Sequence, residues 1–138
     1  MHISARVHNE SGQHQVSLRT NDQAHSLTIA PRAAGFGSSV NGGELLFLAL
    51  ATCYCNDIYR EAAKRGIRVD SVEVEVEGEF GAEGEGATDV RYRTRIAAQA
   101  SEDAICALAE ATDRVAEIQN TLRAGTLVTL SEIQTVTV

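Results

Sequence analysis

Apolar and polar residues alternate near the start of the chain in a pattern that predicts short strands. Three such runs fall within residues 3–29, the last of them at Leu27 and Ile29. Alternation of this kind is typical of β-strands with one face covered. Turn-forming residues at positions 9–12 and 21–23 separate the runs. The pattern therefore predicts three strands before the middle of the chain.

The longest apolar stretch, Leu45–Cys55, predicts a buried helix. It is too short to span a bilayer. Asn41 and Glu44 have the spacing of a capping box, in which each side chain binds the backbone N–H of the other residue. Gly66 provides a left-handed stop. We therefore expect a helix from Asn41 to about Arg65 whose first half lies in the centre of the fold.

The next segment predicts a hairpin. Within residues 69–80, apolar residues alternate with glutamates: Val72, Val74, Val76 and Phe80 are separated by Glu73, Glu75, Glu77 and Glu79. Within residues 89–97, Val90, Tyr92 and Ile96 lie on one face and Arg91, Arg93 and Arg95 on the other. Glutamates on one strand therefore face arginines on the other. Each exposed pair of this kind contributes only about 0.2–1 kcal/mol, so the pairs mainly fix the register and keep the face soluble.

A second helix and a final strand complete the order of elements. Ser101 can cap a helix over residues 102–122, which Gly125 then ends. Residues 126–138 are strongly β-prone and predict the last strand. The resulting order is β-β-β-α-β-β-α-β, which indicates an α+β fold in a single domain over residues 1–138.

Charge and composition narrow the classes of function. The chain has 138 residues and a formal net charge of −7, which makes nucleic acid and anionic membrane surfaces poor partners. The first six residues lack the basic start and apolar run of a signal peptide, so we expect a cytoplasmic protein.

Three cysteines form neither a disulfide framework nor a zinc pattern. The four histidines match no metal motif, so no metal and no cofactor is expected. Cys53 and Cys55 point about 200° apart on a helix and cannot act on one site together. A cysteine on an apolar helix is either a small core residue or a reactive thiol. Position alone leaves both interpretations open.

The run from Asn41 to Cys53 resembles the central-helix motif of the OsmC/Ohr family, in which an Asn-Pro-Glu start leads into a Leu/Ala-rich helix with the reactive cysteine. Residues 62–67 and the order of the later elements are also similar. The resemblance implies an intertwined homodimer of a cytoplasmic bacterial protein. Its two sites would lie between subunits around the buried central helices.

The resemblance also implies thiol peroxidase chemistry in oxidative stress. Cys53 would attack a peroxide, become a sulfenic acid and be resolved by a second cysteine. An arginine and a glutamate would assist the thiol in an apolar pocket that suits an organic hydroperoxide. We accordingly expect Cys53 to have a lowered pKa.

The chain departs from the family pattern at the residues that assist the thiol. Gly42 and Gly43 replace the Pro-Glu pair, so Glu44 is one position displaced from the acidic role. The activating arginine has two candidates in the region expected to cross to the partner subunit, Arg19 and Arg32.

The second helix departs from the pattern as well. The family has a His-x-x-Cys-Pro segment shortly before an asparagine, which is Asn120 here. This chain has Asp113 for the histidine, Ala116 for the resolving cysteine and Glu117 for the proline. Cys106 lies almost three helical turns earlier and is no evident substitute.

Two functional hypotheses follow, with a third from another class. The first is a peroxide reductase that uses Cys53 and an external thiol reductant. The second is a non-catalytic protein of the same fold that binds a small apolar or electrophilic ligand. The third is a hotdog-type thioesterase, which requires an uninterrupted sheet after the first helix.

Overall fold

The computed structural model describes residues 1–138 and has the expected α+β composition. Its elements are β1 (Ile3–Glu10), β2 (Gln13–Thr20), β3 (Gln23–His25), α1 (Gly42–Lys64), β4 (Val69–Phe80), β5 (Ala87–Ala98), α2 (Glu102–Val115) and α3 (Glu117–Arg123). They fall into an N-terminal unit, Met1–Leu46, and a C-terminal unit, Phe47–Val138. None of the helices combines the length and the apolar character needed to cross a membrane.

The N-terminal unit is an antiparallel sheet in the order β1-β2-β3. The turn between β2 and β3 is tight, with Asn21 in the left-handed region at φ 51°. Pairing resumes directly after it and ends where His25 faces Leu18. The third strand therefore lies before Leu27 and Ile29, and the expectation of a strand at those two residues is wrong.

The start and the end of α1 are as expected. The Glu44 N–H donates to Asn41 Oδ1 at 2.9 Å, and the Asn41 N–H donates to Glu44 Oε2 at 2.8 Å, which completes the capping box. Gly66 follows the helix at φ 64°. Within one chain only a single stripe of α1 is covered, and Leu48 stays 55% exposed. The expectation of a fully enclosed first half is therefore not met by the single chain.

The core of the C-terminal unit lies between this stripe, the hairpin and α2. Ile58 and Leu108 are completely buried at its centre. Tyr54 packs edge-on against Tyr92 of β5, and its hydroxyl donates to Ala109 O at 2.8 Å. The buried residues of α1 follow helical spacing: Leu50, Tyr54, Asp57, Ile58, Glu61 and Ala62. Two of these six are carboxylates, which an ordinary apolar stripe does not contain.

The hairpin of β4 and β5 has the predicted charge register. Its cross-strand pairs are Glu73–Arg95, Glu75–Arg93 and Glu77–Arg91. Gly78 allows the Phe47 ring to lie close to the backbone of β4, because a Cβ at this position would lie 2.9 Å from Phe47 Cζ.

The second helix is broken where the sequence predicts one continuous helix over residues 102–122. Ala116 is extended and completely buried, and it separates α2 from α3. Near the break, side chains donate hydrogen bonds to backbone carbonyl oxygens. Asn120 Nδ2 donates to Arg114 O at 3.1 Å, and Arg123 Nη1 donates to Asp113 O at 3.0 Å.

The predicted last strand is absent. Residues 126–138 have no strand partner within the chain, and Leu127 and Val128 are 87% and 93% exposed. A β-prone segment needs a neighbouring strand for its backbone hydrogen bonds, and this single chain does not supply one. Helices α2 and α3 follow the hairpin, which contradicts the uninterrupted sheet of a hotdog fold.

Candidate functional site

Helix α1 places Cys53 beside a buried carboxylate. Asp57 lies four residues later on the same face, and its residue surface is only 5% exposed. The Cys53 thiol donates to Asp57 Oδ2 over 3.5 Å. The half-buried sulfur therefore has a proton acceptor within reach inside its own helix.

Helix α3 brings a second carboxylate to the same sulfur. The break at Ala116 puts Glu117 at the start of α3, and its Oε2 lies 3.9 Å from Cys53 Sγ. One oxygen or sulfur atom from each of Cys53, Asp57 and Glu117 lies within 4.8 Å of the others. We call these three residues the thiol–carboxylate cluster.

Arg60 joins the two carboxylates of this cluster from the outer side. Its Nη1 lies 2.9 Å from Asp57 Oδ1 and 3.3 Å from Glu117 Oε1. The oxygens that face Sγ are the other two, Oδ2 and Oε2. The guanidinium therefore orients both carboxylates so that their free oxygens converge on the thiol.

The surroundings of Cys53 favour the protonated thiol. Burial raises the pKa of Cys53, the Ile118 backbone N–H lowers it, and the charges of Asp57 and Glu117 raise it again. The expectation of a lowered pKa is wrong for this arrangement, because burial of the thiol and the negative charges beside it both raise the pKa.

The two carboxyl groups have pKa values shifted in opposite directions. Burial raises the pKa of Asp57, and the hydrogen bond and the charge of Glu117 raise it further. A hydrogen bond from its own backbone N–H at the start of α3 lowers the pKa of Glu117. Asp57 is therefore the member of the pair that carries a proton more readily, and its oxygen is also the nearer of the two to the thiol sulfur.

The other predicted site residues lie in the N-terminal unit. Glu44 serves as the capping residue of α1. Arg19 donates from Nη2 to Asp22 O at 3.3 Å. The Arg32 guanidinium lies against Gly37, where a Cβ would come within 3.3 Å of its Nε. Their proposed action on Cys53 stays a prediction.

The remaining cysteines are free. Cys55 is half-buried, and Cys106 is exposed on α2. Ala116, at the position of the family's resolving cysteine, is completely buried at the break between α2 and α3.

Sequence reasoning missed Asp57, Arg60 and Glu117 as site residues. The spacing of Cys53 and Asp57 by four residues, with Arg60 three residues further, was a usable signal on a predicted helix. Glu117 already stood out as the residue in place of the motif proline. Its approach to Cys53 depends on the helix break, which the sequence does not indicate.

This arrangement combines a nucleophile, an acid–base group and a cation. A thiol next to a carboxyl group can pass its proton along, and a guanidinium can stabilise an anionic oxygen. The same sulfur and oxygen atoms also form a set that metal ions use.

Comparison with solved structures shows that other proteins have the same fold. The chain is similar to an OsmC-like protein from Mycoplasma pneumoniae, with 18% identity over 87% of each chain and a TM-score of 0.58. It is also similar to an OsmC-like protein of unknown function from Vibrio cholerae, with 15% identity, coverage of 88% of this chain and 93% of the other, and a TM-score of 0.63.

A third similar structure is an organic hydroperoxide resistance protein, OsmC, from Legionella pneumophila. Its identity is 20%, the alignment covers 89% of this chain and 90% of the other, and the TM-score is 0.54. No curated protein matches the chain. The family model described as OsmC-like protein matches residues 35–131, a range that includes all three residues of the thiol–carboxylate cluster. The chain belongs to the OsmC-like protein family.

Proposed function

We propose that this protein is a thiol-dependent peroxide reductase that uses Cys53 as its nucleophile and an external thiol as its reductant. The observation that carries the proposal is the half-buried Cys53 thiol, 3.5 Å from the Oδ2 of a buried aspartate. Family membership supports a peroxide-related role, as does the similarity to a hydroperoxide resistance protein.

The reaction can be written so that every atom is accounted for. The Cys53 sulfur attacks the terminal oxygen of a hydroperoxide, the S–O bond forms and the O–O bond breaks. The thiol proton passes to Asp57 and from there to the leaving alkoxide, which departs as an alcohol. Cys53 is oxidised to a sulfenic acid and the peroxide is reduced.

The oxidised site is restored by a second thiol from solution. The sulfenic acid condenses with one external thiol to give a mixed disulfide and water, and another external thiol releases Cys53 with formation of the external disulfide. An external reductant is needed because Ala116 stands where a resolving cysteine is expected. Glu117 and Arg60 act as positioning residues that hold Asp57 against the thiol.

The experiment follows thiol oxidation residue by residue. The reduced, EDTA-treated protein is mixed with a slight excess of an organic hydroperoxide, and the peptides are mapped by mass spectrometry. We expect a sulfenic acid at Cys53, trapped by a dimedone-type reagent, with consumption of one peroxide per chain. Cys53→Ser abolishes this consumption, whereas Cys55→Ser and Cys106→Ser serve as matched controls and retain it. Equal oxidation of all three cysteines contradicts the proposal.

A second function is favoured by one observation, the raised pKa of the Cys53 thiol. A protonated thiol among negative charges suits a protein that binds a small apolar or electrophilic ligand without turnover. In this case the peroxide experiment gives no selective oxidation at Cys53. Ligand binding is then detected as a shift in the thermal midpoint on addition of small apolar compounds.

We infer further that the functional form is a homodimer. Both units leave apolar side chains uncovered, among them Ile3 and Val7 on the N-terminal sheet, at 62% and 59% exposure. Leu48 on α1 and the segment 126–138 are exposed as well. A second copy of the chain can cover these surfaces and supply strand partners. Light scattering at micromolar concentration should give twice the chain mass, and a stable monomer contradicts the inference.

A further inference from the structure

The atoms around Cys53 have the geometry of a metal site. In a tetrahedral zinc site with Zn–S of about 2.3 Å and Zn–O of about 2.0 Å, neighbouring ligand atoms lie about 3.5 Å apart. The Cys53 sulfur lies 3.5 Å from Asp57 Oδ2 and 3.9 Å from Glu117 Oε2. Both sulfur–oxygen distances are therefore within a few tenths of an ångström of those in such a site, and all three atoms lie within 4.8 Å of one another.

The charge of the cluster also favours a divalent cation. A thiolate and two carboxylates face one guanidinium, that of Arg60, which leaves two negative charges without a counter-charge. Arg60 is the one cation in contact with Asp57 and Glu117. A divalent ion would neutralise the cluster.

Arg60 is placed like the outer-shell groups that hydrogen-bond to metal ligands in proteins. Arg60 holds Asp57 by Oδ1 and Glu117 by Oε1, so that Oδ2 and Oε2 remain free to coordinate. Outer-shell hydrogen bonds of this kind fix the orientation of metal ligands in proteins.

A separate observation at the same junction also points to a missing group. Gln119 is only 4% exposed, and its Nε2 donates to Leu50 O, one turn before Cys53 on α1. Its Oε1 is buried and has no hydrogen-bond partner. Unsatisfied buried acceptors are rare in folded proteins and often mark the place of an ordered water or an ion. An ordered water at this junction would provide the missing donor.

We propose that Cys53, Asp57 and Glu117 bind one divalent transition-metal ion, for which Zn²⁺ is the best match, while the thiol is reduced. The thiolate selects a borderline-soft ion such as Zn²⁺ over Mg²⁺ or Ca²⁺, and three protein ligands leave one position for water. Binding releases the protons held by the cluster. The ion masks the sulfur, so metal and peroxide compete for Cys53.

The test measures zinc directly. The reduced full-length protein is titrated with Zn²⁺ against a chromophoric chelator. We expect one ion per chain, and binding at least about tenfold weaker in Cys53→Ser and in Glu117→Gln. Glu117→Gln is included because its side chain is 64% exposed and tolerates substitution better than the buried Asp57. Cys106→Ser and Glu110→Gln, on the exposed face of α2, are the matched controls and bind as the wild type does.

Cobalt provides a readout of the sulfur ligand. Co²⁺ in place of Zn²⁺ should give a thiolate-to-metal charge-transfer band in the near ultraviolet that Cys53→Ser lacks and Cys106→Ser keeps. Zinc bound as tightly by Cys53→Ser as by the wild type, or no zinc above the background of unfolded protein, overturns the proposal. The peroxide experiment is done in EDTA, so its failure is independent of this result.

Discussion

Two buried carboxylates one turn apart on α1, Asp57 and Glu61, have opposite electrostatic surroundings. Both side chains are less than a tenth exposed, at 7% and 8%. Hydrogen bonds, first that of Lys64 and then that of Arg65, lower the pKa of Glu61 to about 2. Burial and the neighbouring Glu117 raise the pKa of Asp57.

The difference lies in the number of cations around each group. Glu61 is in contact with three of them: Lys64 Nζ at 2.7 Å, Arg65 Nη1 at 3.0 Å and Arg60 Nε at 3.4 Å. Asp57 has Arg60 alone, together with a thiol and a second carboxylate. Glu61 is a fully compensated structural group, whereas Asp57 is left with an excess of negative charge. Such an excess is typical of a position that handles protons or cations.

The largest expected effect is on the rate of Cys53 oxidation, which should depend on Asp57 and not on Glu61. Asp57→Asn removes the proton acceptor next to the thiol, so we expect Cys53 to be oxidised by an organic hydroperoxide about a hundredfold more slowly. Glu61→Gln should leave the rate within about twofold, because Glu61 has no contact with Cys53 in the site described above. Stopped-flow consumption of peroxide by each reduced variant gives both rates.

This comparison needs evidence that the variants are folded. Circular dichroism and the thermal midpoint of Asp57→Asn are recorded first, and Glu117→Gln provides a second variant of the same cluster. Equal rates for Asp57→Asn and the wild type would remove Asp57 from the reaction.

An intermediate effect, on the free energy of unfolding, is expected when the cations beside the two carboxylates are replaced. Arg60→Gln leaves the buried Asp57 without a cation but leaves Glu61 with Lys64 and Arg65, and it should lower the free energy of unfolding by about 1–2 kcal/mol. Lys64→Gln removes one of three cations from Glu61, at a side chain that is 61% exposed, and should cost about 0.5 kcal/mol or less. Urea unfolding of both variants provides the comparison. A larger cost for Lys64→Gln contradicts the idea that Glu61 is the better compensated group.

The order of elements was largely available from the sequence, because local signals set it. The capping box at Asn41 and Glu44, the glycine stop at Gly66 and the glutamate–arginine register of the hairpin all depend on residues near one another in the chain. The last strand could not be predicted correctly in the same way. Residues 126–138 have the composition of a strand, but a strand also requires a partner that local composition does not reveal.

The candidate site was predictable from the sequence only in the residues that lie on α1. Cys53 stands at the motif position, and Asp57 could be placed beside it by helical spacing. Glu117 was not predictable as a partner of these residues, because its approach depends on the extended Ala116 between α2 and α3. Burial is the largest cause of the raised pKa of Cys53, and the charges of Asp57 and Glu117 raise it further. Sequence similarity suggested an activated thiolate, but it reveals neither the burial of the thiol nor the approach of Glu117, both of which raise the pKa.

The smallest expected effect is a change with pH in the thermal midpoint, and it occurs at acidic pH. The pKa of Glu61 is about 2 in the folded protein, below the value of about 4.3 for an unfolded glutamate. Its charge therefore stabilises the fold fully above about pH 4.3, and this contribution is lost as the pH falls through about 2. Glu61→Gln has no such contribution. Its thermal midpoint should lie below that of the wild type at neutral pH, and the difference should shrink between about pH 4.5 and pH 2. Glu110→Gln, at an exposed glutamate of α2, controls for the loss of one acidic charge. Parallel curves for wild type and Glu61→Gln would mean that the three cations do not hold the carboxylate, and the contrast with Asp57 would then be lost.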